Sequence, residues 1–344
     1  MNDEIVNPAA NRLSGGVTEH QVMDAVLRSG YPVQTNVANA LRSACSGREE
    51  GFCIQEEWCF VDGDTKELRN LDMRAELSLH AWAPQPRVRP NLALLIECKR
   101  SDLPYVFFES VGQVGSSCPP IAGLRSADLV ITSDDDPSSW TFDIGHVLDL
   151  DQHPFCRPRT VCRTFSKCVR KGSELEMSGS DPYNSLVLPL TKSLSHAISS
   201  SIPIETAWYF DAGLINAIAV LDAPMLVANQ DSGGSTMRAC PWVRLLRHEY
   251  RVEADRTDHD EQWAIDVVHK DYFEHYLTKE LIPFSELFAE RVLRHPEELA
   301  TGRAFASGMG ADSWQGIESR LRPSSVSSAG KRMGAIAKRR KKRP

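Results

Sequence analysis

The chain has no apolar run long enough to cross a bilayer: its longest, Leu214 to Ala228, is interrupted by Asn216, Asp222 and Pro224, and a spanning helix needs roughly 20 apolar residues. The nine cysteines include no Cys-x-x-Cys pair, so the knuckle that structural zinc sites use is missing. No segment repeats, which excludes solenoids and propellers. No glycine-rich phosphate cradle occurs either, and Gly233-Gly234 in Asp-Ser-Gly-Gly-Ser reads as a loop. Over most of its length the chain also lacks a basic excess. The net charge is −7 over 344 residues, and the last fourteen, Lys331 to Pro344, hold eight of the 39 Lys and Arg, leaving 31 basic against 46 acidic side chains. Such an acidic body argues against a broad nucleic-acid surface, while the basic end reads as a solvated arm that attracts phosphate. The cysteine count is odd and irregularly spaced, and the chain starts acidic and polar at Met1-Asn-Asp-Glu. The expectation is reduced thiols in a cytoplasmic protein with no membrane insertion.

What is present is the composition of a globular protein and a chain long enough for a sizeable core. Residues 1–16 read as a flexible N-terminus. Thr18-x-x-Gln21 is a capping box opening a helix to Ser29, and Pro32 suits the first turn of a second helix that ends near Ser46-Gly47. Phe52 to Val61 reads as a strand, Asp62-Gly-Asp-Thr as a hairpin turn, and Leu68 to Trp82 as the partner strand. After a loop with Pro84, Pro86 and Pro90, the run from Asn91 is apolar on both faces until Glu97, the pattern of a central strand covered on both sides. Further strands are expected at Ala127–Thr132, Phe142–Leu150, Ile215–Leu221 and beyond Pro224, Trp242–Leu246 and Trp263–Val268. Helices are expected from Asp181-Pro182 to about residue 200 and over Leu281–Leu293. Beyond Gly302 the periodicity disappears, so 303–344 reads as a flexible tail with a basic end. The fold class is α/β, a central mixed sheet flanked by helices with C-terminal additions, over 17–302.

Glu97 and Lys99 are two residues apart on one strand and share a face. Asp72 falls on the preceding strand, and neighbouring strands lie roughly 5 Å apart, so carboxylates at matched depth can share one ion. Asp72 and Glu97 are hard oxygen ligands suited to Mg²⁺ (or Mn²⁺), with the Cys98 backbone carbonyl as a third oxygen. Lys99 would orient a water or stabilise developing charge in phosphodiester hydrolysis. Taken alone, a Glu-x-Lys at a strand end reads more often as an exposed salt bridge.

The blocks Gly30-Tyr-Pro-Val-Gln34 with Val37-Ala-Asn-Ala-Leu41, then Asp62 to Asp72, then Leu95-Ile-Glu-Cys-Lys99 and Leu103-Pro-Tyr-Val-Phe107, resemble in order and residue type a bacterial group of the PD-(D/E)XK, or restriction-endonuclease-like, superfamily. The likeness covers about residues 30–110. It implies an αβα sandwich with Asp72, Glu97 and Lys99 as the catalytic set, Leu71 standing where the motif name has Pro. It also implies a metal-dependent nuclease acting on nucleic acid, DNA ahead of RNA, in defence or DNA processing, with a homodimer compatible with it. The group's helix acid aligns with Gln34, an amide that can accept or ligate but brings no charge. Glu19 is the alternative helix acid, though a first-turn Glu also suits the helix dipole. The rival expectations are a catalytically silent nucleic-acid-binding or regulatory module on the same scaffold, and a protein-interaction scaffold.

Weaker signals are read as structural. His153, Cys156, Cys162 and Cys168 lack a zinc knuckle and are expected to be unligated. Tyr105, Phe107 and Phe108 are expected to fill the core rather than stack on bases. His248, His259, His269 and His275 show no repeated spacing.

Overall fold

The computed structural model describes residues 8, 11–48, 50–81, 84–110, 117–133, 138–231, 234–250, 260–309 and 314–323. The basic end from Lys331, His259 and Gly233 lie outside them. In chain order come α1 (Glu19–Arg28), α2 (Tyr31–Ala44), β1 (Cys53–Val61), β2 (Leu68–Ser78), β3 (Val88–Arg100), β4 (Tyr105–Glu109), β5 (Ile121–Ala122), β6 (Asp128–Thr132), β7 (Ser139–Asp143) and α3 (Ile144–Val147). There follow β8 (Val161–Lys171), β9 (Glu174–Ser178), α4 (Ser180–Pro182), α5 (Leu188–Ser200), β10 (Phe210–Asp222), β11 (Met225–Asp231), β12 (Gly234–Ala239), β13 (Trp242–Tyr250) and β14 (Asp260–His269). The chain continues through α6 (Phe273–His275), α7 (Ile282–Arg294), α8 (Pro296–Thr301), β15 (Arg303–Ala306) and β16 (Leu321–Pro323).

The protein is a mixed α/β molecule built on a 12-stranded mixed sheet, in the order β1-β2-β3-β10-β14-β13-β8-β4-β11-β12 with β5 on β10 and β9 on β8. At its centre β3 pairs in parallel with β10 from Val88↔Phe210 to Arg100↔Asp222. Both strands read apolar on both faces because both faces are covered. One cluster joins Leu94 and Ile96 to Val33, Val37 and Leu41 of α2 and to Phe284 and Phe288 of α7. On the other, Leu95 and Ile215 meet Leu190 and Leu194 of α5. α5 also grips the β1–β2 hairpin: Lys192 Nζ reaches Asp64 Oδ2 at 2.5 Å, and His196 Nδ1 lies 3.1 Å from the Val61 carbonyl.

The expected capping box is present, with Thr18 Oγ1 accepting from Gln21 N–H and Gln21 reaching back to the Thr18 backbone. The helix it opens buries none of its residues. Four expectations are corrected. The stretch Phe142–Leu150 is not one strand, because the Asp143 side chain accepts from His146 N–H and turns the chain into α3. The helix begun at Asp181 contains a π-helical stretch, Tyr183–Val187. Ordered structure continues past 302. There β15 pairs with β6 and β16 in a second sheet of order β16-β15-β6-β7, and Ala304, Ala306, Met309, Ile317 and Leu321 are buried. Strands this short leave no periodicity to read. Finally, not all thiols are reduced: Cys118 and Cys156 form a disulfide, whereas Cys162 and Cys168 are free and buried. Among the described residues no helix is long and apolar enough to cross a membrane.

Candidate active site

The hairpin register runs from Val61↔Leu68 to Glu56↔Met73 and Cys53↔Glu76, which sets Glu57 opposite Asp72. The β2–β3 register, Ser78↔Asn91 to Met73↔Ile96, sets Asp72 opposite Glu97 in turn, one step past the last rung. Three acids thus stand in one row across three adjacent strands. The row coincides with a break in the sheet. Glu57 takes a left-handed backbone with φ 52°, rare for a residue with a side chain. Apolar hairpin residues also change sides there: Ile54 and Met73 pack with the α2 and α7 cluster, Trp58 and Leu71 with the α5 cluster.

Where the ladder stops, the Asp72 carboxylate replaces the next rung, its Oδ2 accepting from Cys98 N–H at 2.6 Å. Because N–H and C=O of one strand residue point the same way, the Cys98 carbonyl also looks toward β2. That oxygen lies 3.9 Å from where a Cβ on Gly30, the residue before α2, would sit. The Cys98 thiol is part of the core, and burial pushes it well above its ordinary pKa, so only the carbonyl is available as a ligand.

Glu97 is 5% exposed. Lys99 Nζ contacts its Oε1, while Oε2 is buried with no hydrogen-bond partner. Burial first, and the Asp72 charge second, push the Glu97 carboxyl up to about 7 against the opposing pull of Lys99 and of the Asp72 backbone N–H. Asp72 is raised by burial and by Glu57 against the Cys98 N–H and Lys99. Burial alone would lower Lys99, but Glu97 and Asp72 outweigh it and raise its pKa. A buried Glu97 with an orphaned oxygen, its charge disfavoured by the half-buried Asp72 beside it, makes with Asp72 a donor set that a divalent cation would relieve. The fit is to a hard, oxygen-loving ion. Among the described residues, no group of three or more His, Cys, Asp or Glu side chains is arranged to hold a metal, so an ion here would rest on two carboxylates, the Cys98 carbonyl and water.

The structure brings Asp72, Glu97, Lys99 and Gln34 together and leaves Glu19 apart. Gln34, 6% exposed, donates from Nε2 to Glu57 Oε1 at 3.1 Å and to the Asp72 carbonyl at 3.0 Å. Its amide thus ties α2 to the acid row. Glu19 is exposed on α1, and no hydrogen bond or ion pair joins it to the site among the described residues. Sequence reasoning missed Glu57. The signal was present, since counting four residues back from Val61 and four on from Leu68 pairs Glu57 with Asp72. Compared with known protein families, curated proteins and solved structures, the chain matches none.

Proposed function

We propose that the protein is a metal-dependent nuclease with a restriction-endonuclease-like core, hydrolysing phosphodiester bonds of nucleic acid, DNA ahead of RNA. One observation carries the reading. On adjacent strands, half-buried Asp72 and buried Glu97 stand opposite each other, with a Glu97 oxygen that lacks a hydrogen-bond partner and an ammonium alongside. Helices on both faces of the central strands are consistent with the αβα sandwich that the superfamily uses. Asp72, Glu97 and the Cys98 carbonyl would hold Mg²⁺ or Mn²⁺, which when bound polarises a phosphoryl oxygen and acidifies a water. Lys99, held by Glu97, stands ready to hold that water or to offset charge developing on the phosphate. Gln34 fixes the Asp72 backbone.

The test is cleavage of single-stranded and duplex DNA and RNA with Mg²⁺ or Mn²⁺. Asp72→Ala and Lys99→Ala, with melting curves showing that they fold, are expected to lower the rate by about 10²-fold or more. Cleavage by these variants at the wild-type rate, or none by the wild type, ends the proposal.

The Lys99–Glu97 contact favours a second reading, a binding or regulatory module that retained the scaffold without catalysis. It predicts that titration with Mg²⁺ gives no heat dependent on Asp72 and Glu97.

A further inference from the structure

A cavity of about 620 Å³ opens on the face of the sheet that carries Glu97. Its floor is made by alternate residues of β2, β3 and β10, in the registered rows Glu76↔Ala93↔Ile215 and Ser78↔Asn91↔Gly213, with the pair Arg74↔Leu95 at its near end. Arg74 is two residues from Asp72, and Leu95 is two from Glu97. The cavity floor therefore begins one pleat period, roughly 7 Å, from the carboxylate pair. The C-terminal end of α5, at Ser200 and Ser201, forms a wall, and half-exposed Tyr209 stands with it in the lining.

The lining decides what fits. Leu95, Ala93 and Ile215 give an apolar floor, and Tyr209 offers an aromatic face. Asn91 supplies an amide at its edge, and the carboxylates of Glu76 and Asp211 are each held by a guanidinium, Arg74 and Arg89, so that their remaining lone pairs face the rim. Glu50 adds a third carboxylate, while the guanidinium of Arg74 is already held by Glu76. With both arginines occupied by these carboxylates, the described residues of the lining offer a phosphate no free cation and suit a neutral, flat group with amino donors on its edge. A planar heteroaromatic against an apolar floor, with polar groups at the rim, is the usual content of such a pocket.

We infer that this cavity receives one unstacked nucleobase of the strand whose phosphodiester lies at Asp72 and Glu97, so that the substrate is single-stranded or locally opened there. The inference rests on the nuclease reading for its source of bases. Stacking on an aromatic contributes about 1–3 kcal/mol per base, enough to set the register of the strand before cleavage.

The experiment uses the full chain as Asp72→Ala, without added metal, and ten-nucleotide single-stranded DNAs carrying 2-aminopurine at each position in turn. A fluorescence change confined to one or two positions is expected. Ser200→Phe and Ser201→Phe project into the cavity from exposed helix-end positions, and each should remove that change and weaken binding about tenfold. Free adenosine should compete only at far higher concentration than the strand, because it lacks the backbone contacts. A position-specific signal that both Phe variants retain overturns the base pocket. If the wild type cuts with Mg²⁺ but no position responds, the pocket fails and the nuclease reading stands. If the signal appears and behaves as expected but nothing is cut, the pocket stands and the nuclease reading fails.

Discussion

Glu97 is held in a position that works against folding. Burial and the neighbouring Asp72 raise its pKa from the ordinary 4.5 to about 7, so between those values the folded chain binds more protons than the unfolded one. Stability therefore falls as pH rises through that window and stays low above it. Glu97→Gln removes the penalty. In the metal-free protein at pH 8 the variant is expected to gain about 1–3 kcal/mol, the upper figure being the full shift and the lower allowing for the lost Lys99 contact. At pH 5 the gain should shrink toward zero, and cleavage should be abolished at both. Urea unfolding at the two pH values checks this, and a loss of stability at pH 8 would mean that the Lys99 pair outweighs the cost of burying the carboxylate. At this scale the sequence was most informative for residues related by strand period: Glu97 and Lys99 share a face by alternation, and Asp72 lies on the next strand. Glu57 was hidden because its role depends on a register across the hairpin and on a left-handed backbone that residue type does not announce.

At the scale of elements, β3, β10 and β14 run parallel and end together, with Lys99↔Leu221↔His269 followed by Arg100 beside Asp222. Open α/β sheets bind ligands at the carboxyl ends of their strands, and here cations gather there. Arg100 lies 3.8 Å and Lys270 3.3 Å from opposite oxygens of Asp222. Each is partly exposed and able to turn to a phosphate, Lys270 from Asp222 and Arg100 from Asp222 and from Asp102, which it meets at 2.9 Å. The double variant Arg100→Ala with Lys270→Ala is expected to flatten the salt dependence of oligonucleotide binding by about 1–2 in log–log slope, at about 0.7–0.9 per phosphate contact. An unchanged slope would leave the two cations as internal ion pairs only. The strands legible in the sequence are those with a covered, patterned surface, such as β3 with its continuous apolar run. β9 was not legible, because its first four residues are exposed and only Ser178 is partly covered, so neither alternation nor an apolar run marks it. β15 and β16 escaped notice for a different reason: four and three residues cannot display a period. Their place is set by partners far away in the chain, β6 above all.

Across the whole molecule, one buried polar network ties the large sheet to the segments that carry the second sheet. Arg244 on β13 is fully buried and pairs bidentately with Asp266 on β14, at 2.8 and 2.7 Å. Tyr276 donates to Asp266 at 2.6 Å, and Asn216 on β10 donates to Tyr276 at 2.7 Å. The remaining Arg244 nitrogen donates to the carbonyls of Ser117 and Phe155, at 2.9 and 2.6 Å. Those two residues adjoin Cys118 and Cys156, the disulfide pair. Between the two cysteines run β5, β6, β7 and α3, so disulfide and guanidinium clamp the base of the same 38-residue excursion. Replacing both cysteines by Ala is expected to cost about 2–4 kcal/mol, since the unfolded chain regains a long open loop. Arg244→Met is expected to cost about 3–5 kcal/mol by stranding the buried Asp266 charge. Because both act on the same two strands of backbone, the combined variant should lose less than the sum, by about 1 kcal/mol or more. Once the base of the excursion is open, water reaches Asp266 and the second loss has less left to remove. Urea unfolding of the four proteins measures that coupling directly, and strict additivity would mean that disulfide and ion pair stabilise separate parts of the fold.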